Sequence, residues 1–226
     1  MTAIAEDPRP APAMRTAGFV LIAAPLLMIL GMAHHPTVSA HDPAGVVAQA
    51  RALGAMAGRV HGVLITLMVA ILLALVEFSL WRGLARSRVR VALLTYALGV
   101  VAMSAAALVS GFVVTNAVRL NPGVTPGDLQ QSVTLMSFAM LFNQAFARCG
   151  AILMSAGILA WSLDLVRGGT LQRVLGSFGI VTGAGCMLVL AAGALRLDVH
   201  GAQAVNLLQA AWVLGAGIVM LREAER

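Results

Sequence analysis

Apolar residues in this chain come in long, nearly unbroken blocks, and the polar residues are gathered into the short stretches between them. Blocks of about 20 residues with almost no charge are long enough to cross a bilayer as α-helices. Five such blocks lie between Ala17 and Met220, and a sixth can be drawn around Arg148. The pattern predicts six spans, at roughly 16–35, 52–81, 91–117, 130–164, 172–195 and 201–221, with short connectors except at 36–51 and 118–129. Residues 1–15, MTAIAEDPRPAPAMR, are rich in proline and charge and are expected to be disordered, leaving 16–226 as one all-α, six-helix transmembrane domain.

Composition agrees with the pattern. A 226-residue chain that is 60% hydrophobic and 11% charged has too little polar surface to cover a soluble globule. The net charge of +6 comes entirely from arginine, in short clusters between apolar blocks, so it reads as a membrane-topology signal and not as a nucleic-acid surface. If the spans alternate, Arg9, Arg15, Arg82, Arg86, Arg88, Arg90, Arg167, Arg173, Arg222 and Arg226 fall on one side, against Arg51, Arg59, Arg119, Arg148 and Arg196 on the other. The positive-inside rule then makes the richer side, with both termini, the cytoplasmic face of a bacterial inner membrane. A competing reading treats Val38-Ser39-Ala40 as a signal-peptidase site, with cleavage after Ala40 removing the first span. The similarity of GRVHGVLI at 58–65 to FARCGAIL at 146–153 is compatible with an internal duplication pairing Arg59 with Arg148.

Candidate chemistry gathers at the arginine-poor face. His34, His35 and His41 follow the first span, His61 opens the second and His200 the sixth, so all five histidines fall at one edge of the membrane. They are the candidate metal ligands, for zinc or copper, with Met32, Met56, Met136 and Met140 as soft donors for reduced copper; an axial imidazole on haem is a further version. No pair shows the HxxxH spacing that puts two imidazoles on one helix face. Arg148 lies roughly 22 Å from the far end of its span, one turn from Gln144, and a charge at that depth is expected to face the bundle interior or a wet cavity. Arg59, His61, Asn143, Gln144 and Arg148 are therefore the candidate lining of a ligand pocket for an anion, a lipid-like molecule or a quinone oxygen, with Asn116 and Asn121 nearby.

Small residues set the expected packing. Gly54, Gly58 and Gly62 form one ridge and Gly179 and Gly183 a second, each allowing close helix approach. Cys149 and Cys186 read as buried thiols that could face one another, and Glu77 and Asp164 as solvated partners of nearby arginines. Motifs of hydrolases, P-loops and zincins are absent, and the middles of spans one, three and six read as plain apolar helix, unlike those of most transporters.

The layout of HHP at 34–36, RVHG at 59–62 and LQRVLGSFGIVTG at 171–183 resembles uncharacterised six-helix bacterial inner-membrane proteins of the kind catalogued as domains of unknown function. That resemblance implies the fold and the location and assigns no residue a role. The expectation is a membrane-embedded binding protein for a metal ion or a small anionic or lipid-like ligand, alone, as a homo-oligomer or within a membrane complex. The alternatives are a redox protein or subunit handling quinone or haem, and a small-solute transporter.

Overall fold

The computed structural model describes residues 11–120, 125–195, 197 and 199–226, the last stretch without the side chains of Val199 and His200. The described chain is all α-helical, with helices α1 (Ala11–Ala33), α2 (Pro43–Arg82), α3 (Ser87–Leu108), a π-helical segment (Val109–Val113), α4 (Val114–Leu120), α5 (Pro126–Leu165), α6 (Thr170–Ala191) and α7 (Val199–Glu223). α3, the π segment and α4 run on as one rod, so six helices are long and apolar enough to span a membrane. The protein is a multi-pass membrane protein.

The helices begin earlier than the apolar blocks. α1 includes residues 11–15, where disorder was expected, because Pro12 sits in the first turn, where a missing N–H costs nothing; the rest of that expectation, 1–10, falls outside the described residues. α2 and α5 reach 40 residues each, about 60 Å, twice the thickness of the hydrocarbon core. Asp42 caps α2 through its side chain, and Thr125 and Asp128 form a reciprocal capping box on α5, each ahead of a proline that opens the helix. These polar first turns escape a hydropathy window and still fold as helix. They carry α2 and α5 beyond the membrane at one end, where Val47, Ala50 and Val118 pack with Leu129, Val133 and Met136.

Small residues let successive helices touch backbone to backbone, and the touching pairs show that neighbours run antiparallel. A Cβ on Gly150 of α5 would stand 2.8 Å from the Met103 nitrogen of α3, and one on Gly157 would stand 2.9 Å from the Ala92 carbonyl. Both expected ridges are used: Gly183 packs on the Ser155 carbonyl of α5, and Gly54 and Gly58 receive Thr115 and Gly111. The core between them is aromatic, with Trp161 stacked on Trp212 at 5.7 Å and Phe78 and Tyr96 against their edges. Each indole N–H donates to a serine hydroxyl, Trp161 to Ser79 and Trp212 to Ser162, so both buried indole nitrogens are satisfied.

The two ends of this bundle differ. One carries Arg82, Arg86, Arg88, Arg90, Arg167, Arg173, Arg222 and Arg226 at helix ends, and the other carries His34, His35, His41 and His61; we call them the arginine end and the histidine end.

Candidate functional site

His61 is set by the shape of its neighbour. It faces Gly111 in the π segment, where an added Cβ would lie 2.6 Å from the His61 Cβ, so only glycine leaves room for the imidazole. The wider π turn disturbs the regular hydrogen-bond ladder. Asn143 of α5 restores it, its amide donating to the Ala106 carbonyl at 2.8 Å and to the Ser110 hydroxyl at 2.6 Å. Buried to 7% exposure, His61 donates from Nδ1 to the Ala57 carbonyl at 2.8 Å. Its Nε2 therefore carries a lone pair in the neutral ring.

That lone pair meets a second imidazole. His35 Nε2 stands 3.3 Å from His61 Nε2, the rings nearly perpendicular with centroids 4.9 Å apart. With the His61 proton engaged on Nδ1, the contact is a hydrogen bond when His35 carries its proton on Nε2, and two facing lone pairs when it carries it on Nδ1. Burial, first, and then the neighbouring His61 hold the His35 pKa below its ordinary value, while a hydrogen bond to the Pro36 backbone opposes the shift. The pair can hold one shared proton or present two lone pairs to a cation. A metal at about 2.05 Å from each nitrogen would subtend about 107° across the 3.3 Å gap, close to the tetrahedral angle.

A hollow lies beside the pair, between α1 and α7. At the arginine end these helices are in contact through glycine, with a Cβ on Gly217 falling 2.7 Å from the Gly18 carbonyl. Past Pro25 they separate and leave a cavity of about 230 Å³. Met28, Met32, Ala33, Met154 and Val213 give it an apolar wall, and Tyr96, Gln203, Asn206 and Gln209 give it polar atoms. Gln209 is satisfied, donating to the Ala151 carbonyl and the Ser155 hydroxyl. By contrast, the Tyr96 hydroxyl, on a side chain only 2% exposed, has no hydrogen bond among the described residues, and neither do the Gln203 and Asn206 amides. Ala33 and Leu207, both exposed, carry the cavity to the outer surface of the bundle, and His35 follows Ala33 by two residues.

The expected pocket lining is thus dispersed. Arg59 and Arg148 are exposed, so Arg148 does not face the interior as its depth suggested; a long stem lets its guanidinium reach the interface from the outer surface. Asn143 supports the π segment, Gln144 donates to the Leu197 carbonyl, and none of the five lines the cavity. Asn116 is exposed and Asn121 lies outside the described residues. The histidines are dispersed as well. His34 turns back to donate to the Leu30 carbonyl, His41 is exposed, and the His200 side chain lies outside the described residues. Among the described residues no three histidine, cysteine or acidic groups converge as metal ligands. Met32 lines the cavity, Met56 and Met140 are exposed and Met136 packs in the extramembrane cluster, so no set of soft donors forms. Cys149 is exposed and Cys186 buried, both free.

Sequence reasoning passed over the residues that do line the cavity. Pro25 interrupts span one, and Gln203, Asn206 and Gln209, three apart, lie along one face of span six, so these middles are not plain apolar helix. Polar residues recurring at that spacing inside an apolar block were the available signal. Tyr96, the single tyrosine of the chain, gave none until its hydroxyl was placed. No family model, curated protein or solved structure matches the chain.

Proposed function

We propose that this inner-membrane protein, its arginine end in the cytoplasm, binds a small lipid-like molecule bearing a hydrogen-bond acceptor, such as a carbonyl or quinone oxygen, in the cavity between α1 and α7. The observation that carries the reading is Tyr96, a side chain only 2% exposed that lines the cavity and whose hydroxyl makes no hydrogen bond among the described residues. An acceptor on a bound molecule would give that hydroxyl a partner, a bond that typically contributes about 0.5–1.5 kcal/mol. At about 230 Å³ the space exceeds the ~150 Å³ that holds benzene in an engineered core and falls short of a drug-sized pocket, which suits one substituted ring or a short branched chain. The opening at Leu207 suits entry from the bilayer.

The test is native mass spectrometry on protein extracted from membranes. The wild type is expected to carry a neutral small molecule that Ala210→Leu, which narrows the cavity, excludes. Protein that is bare, or a variant loaded equally, contradicts the proposal.

A second reading is favoured by the His35 and His61 geometry alone: a zinc or copper ion held between the two Nε2 atoms, with the His61 imidazole anchored on the Ala57 carbonyl through Nδ1. Stoichiometric metal lost in His61→Gln would support it, and metal-free protein in metal-replete medium would remove it.

A further inference from the structure

The arginine end contains a cleft that differs in kind from the cavity. It is about 510 Å³, formed where the turn between α2 and α3 meets the turn between α5 and α6, and Arg82, Arg86, Arg88 and Arg167 line it with Ser87 and a single carboxylate, Asp164. That carboxylate is committed: it accepts from Arg82 Nε and Nη2 in a pair whose side chains are 9% and 8% exposed. Arg82 in turn donates Nη1 to Gln172, and Gln172 donates to Glu223, so this network is closed and forms the floor of the cleft. Above it Arg86, 55% exposed, reaches Asp164 only at 3.2 Å and 3.3 Å through one nitrogen, and Arg88 donates one Nη1 bond to the Leu163 carbonyl. Arg167 is exposed and its guanidinium makes no hydrogen bond among the described residues. The N-terminus of α3 opens into the same space at Ser87, with no side chain capping it.

Guanidinium groups that served only to set topology would splay into water. Here they converge on a concave site with a surplus of positive charge, unsatisfied donors and the positive end of a helix, at the level where a membrane meets solvent. We infer that this cleft is a binding site for a phosphate group, with Arg86 and Arg167 as its principal donors and Ser87 and the α3 amides completing the shell. The phosphate belongs either to an anionic lipid headgroup or to a soluble phosphate compound.

The experiment places the purified protein in nanodiscs of phosphatidylcholine, with and without phosphatidylglycerol, and separately titrates the phosphatidylcholine sample with pyrophosphate, reading bound lipid by native mass spectrometry and thermal stability in each case. Retention of phosphatidylglycerol assigns the site to lipid, and stabilisation by pyrophosphate alone assigns it to a soluble phosphate. Each arginine at a membrane surface contributes about fivefold in affinity, so Arg86→Gln with Arg167→Gln should weaken the effective ligand about 25-fold. These two residues lie outside the Arg82 and Asp164 pair, so the variant should keep its fold, and Arg148→Gln at the opposite end should change neither readout. If neither probe binds, if the double variant binds as the wild type does, or if Arg148→Gln weakens binding equally, there is no such site.

Discussion

Arg82 ends α2 and His61 lies near its middle, and each side chain is largely buried against a neighbouring helix. Arg82 has donors directed at Asp164 of α5 and Gln172 of α6, and Gln172 passes the link to Glu223 at the end of α7, so four helices are tied through one guanidinium. His61 is tied to its own helix by Nδ1 and leaves its Nε2 lone pair toward His35 Nε2 at 3.3 Å. Nearby, Tyr96, Gln203 and Asn206 also keep polar atoms unpartnered. Burial of polar groups thus serves the fold where donors and acceptors balance and leaves binding capacity where they do not. Helix geometry follows the same division, with glycine contact between α1 and α7 at the arginine end and separation past Pro25.

Substitutions should break this contrast in graded fashion. The largest effect is expected for Asp164→Ala, which strands Arg82 in a buried position and should cost about 3–5 kcal/mol in reversible unfolding from detergent. Replacing Arg82 and Asp164 together by Met and Leu should recover most of that loss, because no charge is then left alone. Next is Gly111→Ala, which puts a methyl group against the His61 Cβ and should cost about 1–3 kcal/mol while separating the His61 and His35 rings, read from their imidazole NMR signals.

A pH effect should follow from His35. Its folded pKa is depressed from the ordinary 6.5, so the unfolded chain binds the proton more readily. Stability from this group is therefore complete above about pH 6.5 and is lost as pH falls below that value toward the folded pKa. His35→Gln should flatten that part of the stability profile, whereas Asp164→Ala should leave it in place. The smallest effect is expected for Arg59→Gln and Arg148→Gln, exposed and outside both networks, at no more than about 0.5 kcal/mol by thermal unfolding.

Much of the architecture was legible. Apolar block length located every span, since the bilayer imposes that length on the sequence, and the glycine ridges at 54–62 and 179–183 were visible as regular spacing. The helical extensions of α2 and α5 were written in Asp42-Pro43 and in Thr125-Pro126-Gly127-Asp128, signals of capping that hydropathy averages away. The site was less legible. The pairing of His35 with His61 depends on the packing of α1 on α2, and the seat for His61 depends on a π turn that no local residue announces. Asp164 read as solvated because a helix end beside arginines is normally wet; the turn from α5 to α6 instead folds over it and leaves it 6% exposed. Arg148 misled in the opposite sense, because depth along a helix says nothing of which way the side chain faces.

The central claim, that the cavity between α1 and α7 is held incomplete for a ligand, is tested most directly by Tyr96→Phe in unfolding experiments with and without a short-chain benzoquinone. Removing the hydroxyl should shrink the stabilisation that the quinone confers, by about 1 kcal/mol. An undiminished quinone effect in the variant would contradict it.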